Sequence, residues 1–185
     1  MKAAVAMMLL SAAALSTPSS ALTPDQVATG FIDAVKVCAR SAIVGVPISQ
    51  LPESDRAGLL PGKPDLLALG GFPDGRPVYD VLSAKGIVQI GEPKGGECIV
   101  LAYGPPVRPV FADTARILTA EDFGFSETRN TETPSDILRD LERPRGADGK
   151  AKVHLVGGEP GMQGRRFRFP MLDATVTWSS APTAP

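Results

Sequence analysis

Cys38 and Cys98 are the only two cysteines in the chain, and no other pair of residues constrains its fold as much. Cys38 falls on a helical pattern and Cys98 on a strand pattern, so a bond between them ties one face of a helix to one face of a sheet. An even number of cysteines reads as a disulfide when the chain is sent to an oxidising compartment. The N-terminus carries the marks of such an address. Lys2 supplies a short positive region, Ala3 to Leu15 form an apolar stretch, and Ser19-Ser20-Ala21 offers small residues where a signal peptidase cuts. We read residues 1–21 as a signal peptide, and its compact, Ala-rich character points to a bacterial source. The apolar stretch is shorter than the roughly 18 to 20 residues a membrane helix needs, and Pro18 interrupts it. No later segment is apolar enough over that length, so no membrane span is expected after signal removal. The expected destination is periplasmic or secreted. The loop from position 38 to position 98 is long, and closing it stabilises the fold by about 4 kcal/mol in the chain-entropy model. A redox role for the pair is disfavoured by the absence of C-x-x-C spacing and of flanking cations.

The residues around the cysteines predict the elements that carry them. Thr23-Pro24-Asp25-Gln26 combines an N-cap, a proline at the first helical position and a glutamine placed for a capping box. The helix should run to about Arg40, with Val27, Phe31, Ala34, Val35 and Cys38 on one face. From Ser41 to Pro77, Pro47, Pro52, Pro61, Pro64 and Pro73 break any long element, and a segment this long without regular structure is a candidate wall for a site. Val78 to Ser83, Ile87 to Glu92 and Glu97 to Tyr103 read as a three-stranded meander. A second helix is expected from about Pro109 to Ala120. Thr133-Pro134-Ser135-Asp136 repeats the helix-start chemistry and predicts a short third helix ending before Arg143-Pro144. Ala151 to Val156, Arg165 to Phe169 and Leu172 to Trp178 read as strands, and residues 179–185 as a flexible tail. The expectation is one α+β domain over residues 22–178, with two main helices on one face of a mostly antiparallel sheet of about five or six strands.

Composition narrows the chemistry. The chain has one histidine, His154, so a zinc site built from several histidines is excluded and no metal site or cofactor is expected. Nineteen Lys and Arg against 20 Asp and Glu give a formal net charge of −1, which with export argues against nucleic acid as a partner. His154 alternates with Val153 and Leu155 and reads as a strand histidine. A catalytic role would require a partner such as Ser83, Ser126 or an aspartate, and no nucleophile-elbow motif is present. Asp74, Asp80 and Glu121-Asp122 are the obvious carboxylates for acid–base work, although turns and a helix end account for them equally well. Tyr79, Tyr103 and Trp178 are candidate contact aromatics or core residues, with the position of Trp178 near the tail favouring partial exposure.

The charge is uneven. Glu121 to Asp136 holds five acids and one base, whereas Arg139 to Arg168 holds eight bases and four acids, so the two stretches could attract each other or opposite partners. Arg165, Arg166 and Arg168 form the densest cluster and are a candidate fork for an anionic ligand or an envelope protein, because guanidinium binds both oxygens of a carboxylate or phosphate. A solvated strand face is the plainer account. These observations lead to an expected function as a small, soluble, non-enzymatic binding protein of the bacterial envelope, acting through the open sheet face or the basic hairpin. A small envelope hydrolase using carboxylates and arginine is the alternative, with an inhibitor or immunity-like protein as a third class.

Overall fold

The computed structural model describes residues 22–120, 122–145, 149–163 and 168–179. The expected signal peptide over residues 1–21, Arg165, Arg166, Glu121 and residues 180–185 of the expected tail lie outside the described residues.

Helix α1 spans Pro24–Val44. Its start is set as the sequence predicts: Thr23 Oγ1 accepts from the Gln26 amide at 3.3 Å, and the Thr23 amide donates to Gln26 Oε1 at 2.9 Å. It continues about one turn beyond Arg40 because Ser41 and Ala42 still face the core, and it ends where Gly45 turns left-handed at φ 82°. The positive φ favours glycine there, and a Cβ would also displace the Arg145 guanidinium, which packs against this turn. Helix α2 spans Val107–Leu118. It starts earlier than the periodicity suggests because Glu159 Oε1 accepts from the Val107 amide at 2.9 Å, supplying the carboxylate that Pro106 cannot.

Eight strands form one sheet, in every pairing antiparallel: β1 (Leu59–Pro61), β2 (Val78–Val81), β3 (Val88–Gly91), β4 (Glu97–Tyr103), β5 (Ser126–Glu132), β6 (Ile137–Arg145), β7 (Gly149–Gly158) and β8 (Met171–Trp178). Their spatial order is β1-β2-β3-β4-β8-β7-β6-β5. Two four-stranded meanders therefore meet where β4 pairs with β8, Cys98 opposite Val176 and Leu101 opposite Asp173.

The sheet is larger than the five or six strands expected. β1 is short and lies among prolines, and β5 is exposed along its whole length, so neither shows an apolar alternation. The expected third helix is instead the turn into β6. Thr133 Oγ1 accepts from the amides of Ser135 at 3.3 Å and Asp136 at 2.9 Å, so cap-like chemistry closes a hairpin. Ile137 and Leu141, four positions apart, fit a helix face and a strand face equally well. The expected strand at Arg165 to Phe169 is also corrected at its described end: Arg168 and Phe169 are exposed and lie in a bend before Pro170.

Both helices cover the same sheet face. Phe31 of α1 and Phe111 of α2 meet with ring centroids 6.2 Å apart. Beneath them lie Val100, Ala102, Val153, Leu155, Leu172, Ala174 and Val176, all buried. Cys38 and Cys98 are joined in a disulfide, with Cα atoms 5.7 Å apart and neither side chain exposed, which fixes α1 over β4. Trp178 is buried at the end of β8, so packing rather than exposure accounts for it. Among the described residues no helix is long and apolar enough to cross a membrane.

Candidate functional site

Among the described residues neither α1 nor α2 lies over the opposite face of the sheet. Along β8 the alternation Leu172, Ala174, Val176, Trp178 points toward the helices, which leaves Asp173, Thr175 and Thr177 on the other side. β4 places Ile99, Leu101 and Tyr103 beside them, and β7 places His154 and Val156. β6 adds Asp140 and Glu142 opposite His154 and Lys152.

Half of this face is covered by the proline-rich segment. Gln89 on β3 is the clasp. Its Oε1 accepts from the Leu66 amide at 2.9 Å and the Leu67 amide at 3.3 Å, while its Nε2 donates to the Lys63 carbonyl at 2.6 Å and to Asp80 Oδ1 at 2.8 Å. A buried glutamine is thus fully bonded, and the bonds hold residues 63–67 against the sheet. Leu67 and Phe72 then pack over Gly91, where any Cβ would lie 2.4 Å from the Phe72 ring. Leu67, Val78 and Leu101 make a second, small apolar cluster, with Phe72, Ile99, Tyr103 and Met171 at its margin.

Between this segment and the sheet is a cleft of about 470 Å³. Leu67, Phe72 and Pro73 form one wall; Ile99, Leu101 and Met171 form much of the floor; Asp173, Tyr103 and Glu97 are its polar groups. Asp173 is half-buried and makes no hydrogen bond or ion pair with a described residue. Burial raises its pKa to about 6, and the positive character of nearby His154 offsets part of that rise. The Tyr103 hydroxyl is also pushed up, first by burial and then by the Asp173 charge. A segment the sequence marks as a possible wall does line a cavity.

The other half of the face is bare and charged. Here His154 Nδ1 is hydrogen-bonded to Asp140 Oδ1, and Arg129 Nη1 lies 3.8 Å from Asp140 Oδ2. A shallow concavity of about 360 Å³ surrounds the pair, lined also by Thr128, Glu142, Lys152 and Thr175. The aspartate partner that a working histidine would need is therefore present. Its bond to Asp140 is the only one His154 makes among the described residues, so no hydroxyl is bonded to it for activation. Ser83 lies elsewhere, lining a cavity beside α1, and Ser126 sits on edge strand β5 opposite Glu142.

The remaining candidates are not brought together. Asp80 is bonded to Gln89, while Asp74 and Asp122 are exposed. Arg168 is exposed, and the proposed arginine fork otherwise lies outside the described residues. Half-buried Tyr79 donates to Glu92 Oε2 at 3.4 Å, and buried Glu92 also accepts from the Ile48 amide at 2.9 Å, so Glu92 ties the segment after α1 to the sheet. A cavity of about 640 Å³ beside α1 has walls carrying both signs of charge: Lys36 pairs with Asp33 at 3.0 Å, Arg40 stacks 4.5 Å over Phe123, and Asp55 and Asp122 also line it. No group of three or more His, Cys, Asp or Glu side chains among the described residues could hold a metal ion.

Two features of this sheet face are not signalled by any motif. Asp173 is visible as a polar residue on an alternating strand, but its burial depends on the distant segment folding over it. The Asp140–His154 pairing depends on the β6–β7 register, which the helical reading of Ile137 to Leu141 hides. No family model matches the chain, and neither a curated protein nor a solved structure matches it.

Proposed function

We propose that the chain is a non-enzymatic binding protein exported to the bacterial envelope, periplasmic or secreted, whose ligand enters the cleft between residues 63–73 and strands β4 and β8. One observation carries this reading: Asp173 has a partly desolvated carboxyl, without a hydrogen-bond or ion-pair partner among the described residues, in a concavity with apolar walls. Holding a carboxylate there costs stability, which packing alone would remove by placing threonine or valine at that position. The volume lies within the range of small-molecule sites, where a few polar groups orient a ligand held mainly by apolar contact. Export follows from the N-terminal signal reading and agrees with the Cys38–Cys98 disulfide.

A thermal-shift screen of the exported form, residues 22–185, against small molecules tests the site when run beside Met171→Trp, whose indole fills the cleft. Ligands that raise the melting midpoint of the wild-type chain should lose that effect in the variant. Ligand responses that survive the filling, or no responses at all, would remove the cleft from consideration.

A second reading, a small envelope hydrolase, is favoured by the Asp140–His154 pair with Arg129 beside it. Turnover of a chromogenic ester or glycoside that disappears in Asp140→Asn would put that reading first.

A further inference from the structure

We infer that the cleft binds a small organic cation, an ammonium or guanidinium carried on an apolar body, with its charged head at Asp173 and its body between Phe72 and the β4 floor. The inference rests on the reading of the cleft as the binding site and specifies the ligand's chemistry. Among the described residues lining the cleft there are two carboxylates, Asp173 and Glu97, and no basic side chain. Glu97 lies at the rim and already has a partner, Lys94 Nζ at 3.3 Å, whose ammonium is largely in water. Asp173 has none. Its direct cross-strand neighbours on this face are Leu101 on β4 and Val156 on β7, so neither offers a donor.

Each class of ligand meets these groups differently. An anion would approach two carboxylates with no described guanidinium or ammonium on the cleft wall to receive it. A wholly apolar ligand would strip the remaining water from the Asp173 carboxyl and give nothing in return. A cation supplies the missing partner, and a charge-assisted bond gains strength where water is partly excluded. Phe72 and Tyr103 place aromatic rings at the same cleft, which favours a cationic head or a flat apolar body.

Calorimetric titration of the exported form with a matched set of probes tests the inference: 2-phenylethylamine, its neutral counterpart 2-phenylethanol, and 3-phenylpropionate. The amine should bind about tenfold or more tightly than the alcohol, the difference expected for a charge-assisted over a neutral bond, and the carboxylate should not bind measurably. In Asp173→Asn the preference for amine over alcohol should vanish while binding of the alcohol persists. Equal binding of amine and alcohol by the wild-type chain, both lost in Met171→Trp, would overturn the cation assignment and leave the cleft standing. Binding of none of the probes, or binding that survives Met171→Trp, would overturn the cleft itself. The wild-type comparison needs no variant, so the inference stays exposed to refutation even if Asp173→Asn folds poorly.

Discussion

The two halves of the open sheet face solve the same problem in opposite ways. Over β2 to β4 the chain returns and covers the sheet with Leu67 and Phe72, clasped by Gln89. Over β5 to β7 no described segment returns, and the strands carry cross-strand ion pairs instead: Lys150 and Lys152 each reach Glu142 at 3.1 Å, and Arg129 faces Asp140. The covered half depends on buried apolar contact and a fully bonded amide, whereas the bare half depends on charges that water can also satisfy. The two differ in what a single substitution should cost. Asp173 stands at the seam, where β8 meets β4, with an aqueous, charged neighbourhood on one side and an apolar one on the other.

The covered half should fail first and hardest. Gln89→Leu keeps the volume but leaves the Lys63 carbonyl and the Leu66 and Leu67 amides without their partner, and we expect a loss of about 3 kcal/mol in denaturant unfolding. Hydrogen exchange should quicken at Leu66 and Leu67 while β7 stays protected. A uniform loss of protection across both halves would show that the clasp is not local.

Asp173 should give the next largest effect, and of opposite sign. Its folded pKa of about 6 lies above the ordinary aspartate value of 3.8, so folding favours the protonated form. The contribution of this group to stability is therefore greatest at acid pH and is lost as pH rises from about 4 through about 6, by roughly 3 kcal/mol for a shift of that size. Asp173→Asn should remove that loss and stabilise the chain by about 2 kcal/mol at pH 7.5, with little difference from wild type at pH 4. The readout is the difference between the two chains, because Glu92, raised by burial, adds a slope of the same sign in both. Identical pH profiles would mean that the carboxyl is well hydrated.

The bare half should respond least. Both lysines hold the Glu142 carboxyl below its usual range, Lys152 most, but the group is solvent-exposed and such pairs are worth little. Glu142→Gln should leave the melting midpoint unchanged within error at physiological salt. A clear drop would show that this half, too, is held by its side chains.

How far the residues announce this arrangement can be followed element by element. The capping box at Thr23, the strands around Cys98 and the alternation along β8 are local signals, and the elements formed accordingly. The uneven charge noted between residues 121 and 168 resolves in part into pairs between neighbouring strands, as with Arg139 and Glu127 at 3.0 Å. What stays hidden is non-local or ambiguous. β5 is a strand because β6 pairs with it, not because its own residues alternate, and Thr133 to Asp136 can cap a helix or close a hairpin. The cleft requires Gly91 to admit Phe72 from a segment whose prolines specify only what it cannot become. Asp173 could be assigned to the polar face of its strand, but not to a cavity.

The account turns on that one carboxyl, and following the Asp173 side-chain carbon by NMR through a pH titration, with and without 2-phenylethylamine, measures it directly. The free protein should show a midpoint near 6, and the amine should move it downward, because an opposite charge at the carboxyl favours ionisation. A midpoint near 4 in the free protein, or one that the amine leaves in place, would contradict it.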